Sequence, residues 1–146
     1  MFCLLANHCD ASEDKILKLL IENRSCNGCN LSKLNLGNYK LFKVDLSRAD
    51  LSESYLVNVD LGNANLSNSN LSNTYMNGAN LSEATLVKTN LSGAELELAD
   101  FSQALFVNVN LIEAYLLHAS ISEDQLNNAR LCNTVLPDAS ISYRDC

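Results

Sequence analysis

The sequence predicts an all-β solenoid, a quadrilateral (four-sided) β-helix with a capping α-helix at its N-terminus and a short helical turn at its C-terminus. Two observations predict the coil. A large apolar residue recurs at every fifth position from Leu31 to Ile141, and a small residue lies two positions before most of them. Composition agrees, since aromatic residues make up only 6 % of the chain and Trp is absent. A globular core of 146 residues normally uses more large side chains.

The repeat of large apolar residues has no insertion between residues 31 and 141. Its 23 consecutive units carry 18 Leu, two Phe, two Ile and one Met at this central position. Asn or Asp often precedes the central residue, and Ser often follows it. Each unit therefore reads small residue, Asn or Asp, Leu, Ser, any residue. Self-similarity at a fixed short period is typical of solenoid proteins.

A period of five fits neither an α-helix nor an ordinary strand, whose side chains repeat every 3.6 and 2.0 residues. It fits a coil with flat sides, in which the central and the small residue of each unit point inward. Asn and Asp suit the corners, because their side chains bond to nearby backbone and tolerate turn dihedrals. Four units make a 20-residue coil, and coils should stack about 4.8 Å apart. Residues 20 apart should then form columns on the outer surface.

Three units match the pattern A(D/N)Lxx in full: residues 49–53 (Ala-Asp-Leu-Ser-Glu), 64–68 (Ala-Asn-Leu-Ser-Asn) and 79–83 (Ala-Asn-Leu-Ser-Glu). In this pattern the chain resembles the pentapeptide-repeat family over roughly residues 29–141. The resemblance implies a right-handed, four-sided β-helix. It implies little about function, because one fold hosts many functions.

The ends should differ from the middle, because a solenoid must cover the apolar ends of its core. The sequence predicts an N-terminal segment over residues 1–30 with a capping helix and a CxxC motif, a regular β-helix over 31–121, and an irregular C-terminal cap over 122–146. The capping helix is predicted over residues 12–24, with Ser12 as its N-cap. Its predicted apolar face consists of Ile16, Leu17, Leu19, Leu20 and Ile21.

The cysteines lie outside the regular repeat, near both ends of the chain: Cys3, Cys9, Cys26, Cys29, Cys132 and Cys146. An even number near the ends is typical of disulfides in an oxidising compartment, with six reduced thiols as the alternative. Cys26 and Cys29 form a CxxC motif, which occurs as a local disulfide, as half of a zinc site or as a redox pair. Zinc would need two more ligands, for which the candidates are Cys3, His8 and Cys9.

A helix followed by CxxC directly before the first coil is similar to a cyanobacterial branch of the family, often exported to the periplasm or thylakoid lumen. Residues 132–138 and the final Cys146 also resemble that branch, which implies a Cys132–Cys146 disulfide that ties the tail over the last coil. A loop of about 13 residues would stabilise by about 3 kcal/mol in the chain-entropy model. The periplasm or thylakoid lumen is therefore the expected location, with the cytoplasm as the alternative. Residues 1–7 are too short for a complete secretory signal.

The unit at residues 122–126 breaks the repeat, because Asp124 occupies the small inward position. An unpaired carboxylate would be costly there. The sequence predicts a local helical turn with Ser122 as its N-cap. The chain is expected to leave the β-helix at Asp124.

Net charge is −7, which argues against binding to nucleic acid or an anionic membrane. No apolar stretch is long enough for membrane insertion, and no phosphate-binding loop or hydrolase motif occurs. His118 is predicted to be a solvated surface residue. Glu95, Glu97 and Asp100 are interpreted as a solvated acidic patch rather than a catalytic pair. The sequence therefore predicts no enzyme, no catalytic residue, no cofactor and no metal site.

The most apolar column of the predicted surface consists of Asn35, Tyr55, Tyr75, Glu95 and Tyr115, with Val57 and Leu117 projecting from the same side. We call its three tyrosines together with Val57 and Leu117 the interaction strip, because exposed apolar patches often mark partner sites. The alternative is an aromatic ladder that only stiffens the coil. The expected partner is an unknown protein, and the chain is expected to be a monomer or a weak dimer.

The sequence favours a non-catalytic structural or protein-interaction module over two alternatives. One is a DNA-mimicking inhibitor of a topoisomerase such as gyrase, a role that the family resemblance suggests, since some members act as acidic rods. Residues 31–121 contain 9 acidic and 5 basic residues, which favours this alternative only weakly. The other is a metal-binding or redox protein that uses its cysteines.

Overall fold

Residues 20 apart lie side by side on adjacent coils in the computed structural model, which describes residues 11–146. One full coil contributes four parallel bridges to the next: Ser25↔Asp45, Asn30↔Asp50, Asn35↔Tyr55 and Lys40↔Asp60. Bridges in this register continue as far as Tyr115↔Val135. Four five-residue units therefore complete one coil, and the predicted four-sided repeat is confirmed.

The helices and strands are short, because most sides of a coil contribute a single bridging residue. Helix α1 is Ala11–Lys18 and continues as a π-helical turn, Leu19–Asn23, while α2 is Glu123–Asn127. The strands are β1 (Thr85–Val87), β2 (Leu105–Val107), β3 (Val109–Asn110), β4 (Ala129–Arg130), β5 (Thr134–Val135) and β6 (Ile141–Ser142). Strands β1 and β2 pair in parallel, as do β3 and β4, whereas β5 and β6 are antiparallel. No helix within residues 11–146 has the length and apolarity to cross a bilayer.

The core is one column of large apolar side chains along the axis. Every central residue from Leu31 to Leu116 is at most 5 % exposed. Where consecutive units carry Phe101 and Phe106, the two rings meet edge to face with centroids 5.4 Å apart. Burying one Leu side chain contributes about 1.5–3 kcal/mol relative to exposure, so this column is the main force that holds the coils together.

The corners explain the other positions of the unit. The residue two after each central residue has φ near +60° at every fifth position from Gly28 to His118. At a typical corner, the N–H of Ala49 donates to the carbonyl of Leu46, which closes a turn with a positive φ at its third residue, as in type II turns. The residue before the central Leu supports the turn, as Asn65 does when its Oδ1 accepts from the N–H of Ser67 at 3.1 Å.

The N-terminal helix differs from its prediction in two respects. It already includes Ala11, so Ser12 lies inside the helix and the prediction of Ser12 as N-cap is wrong. The apolar face is also narrower than predicted. Leu20 is fully buried against the core, whereas Ile21 is 40 % exposed. The helix ends at Arg24, whose left-handed φ of 52° turns the chain into the first coil.

The C-terminal helical turn forms as predicted, with the Ser122 side chain accepting from the N–H of Gln125. The prediction that the chain leaves the β-helix at Asp124 is wrong. After α2 the backbone rejoins the stack in the same register, with Asn110 beside Arg130 and Tyr115 beside Val135. The helical turn replaces one side of one coil, and because it uses the same number of residues as a unit, the period is kept.

Candidate functional site on the tyrosine side of the coil

One of the four sides carries the interaction strip, and we call it the tyrosine side. It is the side whose central residues are Leu36, Leu56, Met76, Leu96 and Leu116. The structure places all five strip residues on it. The Tyr55, Tyr75 and Tyr115 side chains are exposed, and Val57 and Leu117 are half-buried beside them.

The Tyr55 and Tyr75 rings lie on adjacent coils with centroids 6.5 Å apart and planes tilted by 36°. Tyr55 and Tyr75 are still 45 % and 47 % exposed, so the contact between the rings does not hide them. The Tyr55 ring also lies across the previous coil, where a Cβ on Gly37 would be 2.8 Å from its Cε1. Because Gly37 has no Cβ, the Tyr55 ring can pack against it, and the Tyr55 and Tyr75 rings lie next to each other on the surface.

Leu98 belongs to the same surface and was not predicted. Its side chain is 63 % exposed, and its φ is 60°. A branched apolar residue is rare in the left-handed region, which favours Gly and Asn. The residues in the same column, one and two coils earlier, are Gly78 and Asn58, which suit that conformation. The sequence did contain an indication of this site. Leu98 is an apolar residue two positions after a central residue, at the position with φ near +60°, which we call the turn position.

The acidic residues predicted as a patch lie toward the C-terminal end of the tyrosine side. Nδ2 of Asn77 donates to Oε2 of Glu95 at 3.3 Å, and Oδ1 of Asn77 accepts from the N–H of Glu97 at 3.0 Å. With Tyr115 and Glu113 these residues border an open cleft of about 450 Å³. Asp100 lies on the next side, where its Oδ1 accepts from Ser102. The three acidic residues predicted as one patch are therefore divided between two sides.

A neighbouring side carries a polar column instead. Asp50, Asn70, Asn90 and Asn110 form a ladder in which each amide donates to the side-chain oxygen one coil earlier, at 3.0 to 3.2 Å. The hydroxyl and N–H of Ser52, together with the Asn70 amide, hold the pKa of the Asp50 carboxyl below its ordinary value of 3.8. These groups satisfy one another, so this side offers few unpaired polar groups to a ligand.

Four of the predicted disulfide candidates are paired. Cys26 bonds to Cys29 and Cys132 bonds to Cys146, with Cα atoms 5.4 and 4.9 Å apart. Cys3 and Cys9 lie outside the described residues. The first pair closes the turn at the start of the first coil, and the second fastens the tail. Within residues 11–146 no three His, Cys, Asp or Glu side chains gather as a metal would require.

His118 lies where it was predicted, on the surface of the tyrosine side at the turn position of its unit, with φ of 58°. Charge is unevenly distributed along the coils. Residues 24–48 contain five basic and one acidic residue, whereas residues 49–127 contain ten acidic and one basic residue. The tyrosine side lies mostly within the acidic part.

Comparison with known proteins places the fold in a family. The Pentapeptide repeats family model matches residues 25–56, 54–93 and 94–123 with eight copies of the repeat. No curated protein matches the chain. Among solved structures, the pentapeptide repeat protein Rfr23 of the cyanobacterium Cyanothece 51142 is 28 % identical, with a TM-score of 0.73, covering 90 % of this chain and 99 % of its own.

Two further structures show the range of similar proteins. A trypsin-treated variant of QnrB1, a plasmid-mediated fluoroquinolone resistance protein, has a TM-score of 0.56 and 14 % identity, over 65 % of this chain and 54 % of its own. A pentapeptide repeat protein of the Arabidopsis thaliana thylakoid lumen is 25 % identical with a TM-score of 0.36, over 79 % of this chain and 72 % of its own. From the repeat, the coil and the family match, we conclude that the chain belongs to the pentapeptide-repeat family.

Proposed function

We propose that this protein is a non-catalytic module that binds a protein partner through its tyrosine side. One observation carries the proposal. Nine large apolar side chains of the described residues are exposed, and four of them lie on this side: Tyr55, Tyr75, Leu98 and Tyr115. The other three sides of the coil expose only two of these nine side chains, Phe42 and Leu105. Concentrated apolar exposure of this kind is typical of protein interaction sites.

The tyrosines also replace residues that would support the coil better. Asn or Asp at this position accepts a hydrogen bond from the N–H two residues later, as Asn35 does from Gly37 at 3.1 Å. Tyr55, Tyr75 and Tyr115 cannot make that bond. A local bond given up at three places on one side supports a role for these rings outside the coil.

Further parts of the proposal follow from the family and the disulfides. Pentapeptide-repeat proteins are generally non-enzymatic structural modules, and we extend this to the present chain. We also assign it the right-handed coil. The two disulfides suit the periplasm or the thylakoid lumen, because such bonds persist in oxidising compartments. A cystine is not the thiolate that zinc needs, which disfavours metal binding by Cys26 and Cys29.

A second candidate function is inhibition of a topoisomerase by mimicry of DNA. The acidic stretch over residues 49–127, with ten acidic residues and one lysine, favours it, because DNA presents a dense row of negative charge. A gyrase supercoiling assay tests this candidate. Absence of inhibition at micromolar protein removes it.

Affinity capture from extracts of the source cells tests the main proposal. The variant Tyr55→Asn/Tyr75→Asn removes two rings and restores the usual residue of the unit, so the coil should stay folded. Phe42→Ser is the matched control, because it removes an exposed ring from another side and restores a common residue. We expect the tyrosine variant to lose partners that both wild type and control retain. Equal capture by all three proteins would contradict the proposal.

A further inference from the structure

We propose that the tyrosine side binds a second copy of this chain, in an antiparallel arrangement related by a two-fold axis. The inference rests on the proposed function, in that it names the partner of the same surface. It is carried by the order of residues in the three outward columns of that side. These columns are Asn35, Tyr55, Tyr75, Glu95 and Tyr115; Gly37, Val57, Asn77, Glu97 and Leu117; and Asn38, Asn58, Gly78, Leu98 and His118. These columns are complementary to themselves when one copy is reversed.

The stacking of the coils limits the ways in which two copies can pair through this side. A two-fold axis that lies in the interface and crosses the rod at right angles reverses the order of the coils, while each column stays opposite its own counterpart. Such an interface is isologous, so each contact occurs twice. With columns repeating every 20 residues, only a few registers exist.

In one register the apolar residues meet one another. Placing the axis between the coils of Tyr75 and Glu95 brings Tyr55 opposite Tyr115 of the second copy. In the next column Val57 then lies opposite Leu117. Both contacts remove half-buried or exposed apolar surface from water, which is the main driving force for association.

The polar residues of the same register are also matched. Tyr75 lies opposite Glu95, at the cleft that Glu95 borders, so the Tyr75 hydroxyl is placed to donate to a carboxylate. Asn77 lies opposite Glu97, and Asn58 lies opposite His118. No two residues of like charge face each other in the three columns of this side.

Leu98 provides a match of shape. Its side chain projects from the turn column and is 63 % exposed, and in this register it lies opposite Gly78 of the second copy. Gly78 has no side chain of its own, and the Asn58 side chain lies where a Cβ on Gly78 would stand. The projecting Leu98 would therefore pack over the Gly78 backbone and the Asn58 side chain beside it. In the dimer this packing would offset the cost of the unfavourable φ of Leu98, +60°, which is not offset in the isolated coil.

Neighbouring registers are worse. Moving the second copy by one coil, so that the axis crosses the coil of Tyr75, places Val57 opposite Glu97 and leaves the carboxylate against an apolar group. Moving it by one coil the other way, so that the axis crosses the coil of Glu95, places Glu95 opposite Glu95 and Glu97 opposite Glu97, which repel. Of these three registers, the columns favour the one centred between Tyr75 and Glu95.

The dimer should be weak. Five coils at about 4.8 Å each give a face roughly 24 Å long, which buries less than the ~800 Å² per partner of stable interfaces. We expect a dissociation constant on the order of 100 μM. Sedimentation equilibrium from micromolar to millimolar protein should show a monomer–dimer equilibrium. A monomer throughout this range would overturn the proposal.

A variant at Leu98 tests whether this surface forms the dimer interface. Leu98→Asn removes the projecting side chain and suits the left-handed φ, so the coil should stay folded. We expect it to weaken dimerisation by about tenfold or more, the size of effect that a central anchor has. Gln103→Asn is the control, since Gln103 has φ of 59° on another side. Equal dimerisation by both variants and wild type would overturn the proposal.

Cysteine pairing tests orientation and register. Val57→Cys and Leu117→Cys are made as separate variants, mixed, and oxidised mildly. The mixture should give a cross-linked heterodimer, while neither variant alone should cross-link to itself. Self-linking of either variant, or no link in the mixture, would overturn the antiparallel arrangement. If wild type is monomeric but the tyrosine variant still loses captured partners, this inference fails and the proposed function survives.

Discussion

Asn70 donates from Nδ2 to Oδ1 of Asp50, one coil earlier, at 3.2 Å. The same bond recurs from Asn90 to Asn70 and from Asn110 to Asn90. Three consecutive amide bonds between coils give this side a polar ladder parallel to the leucine column. Because each oxygen also accepts from a backbone N–H of its own turn, as Asn90 does from Ser92, the ladder links corner geometry to the stacking of coils.

Asn90→Ala should therefore destabilise the protein more than an ordinary surface change. It removes the bond to Asn70, the bond from Asn110 and the support of the turn at Ser92. We expect a loss of about 1–3 kcal/mol in the free energy of unfolding, measured by urea denaturation. Ser72→Ala, a change on the same side, is the control. A loss no larger than that of the control would mean that the ladder contributes nothing to stability.

The pH dependence of stability should include a contribution from Asp50. Its pKa is lowered in the fold, first by Ser52 and also by Asn70, so the folded protein favours the charged form. The stabilisation is complete above the ordinary pKa of 3.8 and is lost as pH falls through the lower value of the fold. Urea denaturation between neutral and strongly acidic pH should show a smaller acid loss in Asp50→Asn. An identical pH profile for both proteins would contradict this.

The ladder shows how much of the fold the sequence could predict. The period of 20 placed Asp50, Asn70 and Asn90 in one column, and likewise Tyr55 with Tyr75, because a coil without insertions fixes the register. The failures have physical causes. A helical turn at residues 123–127 preserved the residue count, so the coil resumed where an exit was expected. Residue count alone does not show which side chain of such a turn points inward.

Leu98 was missed for a related reason. The turn position of the unit accepts almost any residue in sequence, from Lys33 to Asn73, and all of them have φ near +60°. An apolar residue there looks like ordinary variation until its exposure is seen. The five residues of the interaction strip were found because they fall in columns, whereas Leu98 belongs to a column that otherwise contains Asn, Gly and His.

Leu98→Asn should stabilise the isolated chain. The left-handed conformation is unfavourable for Leu by roughly 1–2 kcal/mol and is tolerated by Asn, and the side chain is too exposed for much packing to be lost. We expect a gain of about 1 kcal/mol, measured by thermal unfolding at dilute protein. Asn58→Leu is the inverse control and should destabilise. A lower melting temperature for Leu98→Asn would show that the side chain packs within its own chain.

Loss of the Cys132–Cys146 disulfide should free the tail. The bond closes a loop with a sequence separation of 14, which corresponds to about 3 kcal/mol in the chain-entropy model. Cys132→Ser/Cys146→Ser should unfold at lower denaturant and be cleaved sooner near Arg144 by trypsin. Arg144 Nη2 also donates to the carbonyl of Leu126 at 3.1 Å, and Arg144→Gln, with the disulfide intact, separates the two effects. Unchanged stability in the serine variant would contradict this role of the bond.

Gln125 should be the most sensitive residue of the C-terminal cap. Its side chain is 9 % exposed, and Nε2 donates to the carbonyls of Phe101 and Ala104 at 2.7 and 2.8 Å. Oε1 meanwhile accepts from the N–H of Ser122 at 2.8 Å, so one amide joins the last helical turn to the coil beneath it.

Gln125→Ala leaves buried carbonyls without donors, at a cost of about 1–3 kcal/mol. Gln125→Glu keeps the oxygen that accepts from Ser122 but replaces both N–H donors with an acceptor, so at neutral pH it should cost at least as much as Ala. Acidification that protonates the new carboxyl should recover part of the loss. Urea denaturation at neutral and mildly acidic pH measures both. A Glu variant as stable as wild type at neutral pH would show that the coil end does not need these two donors.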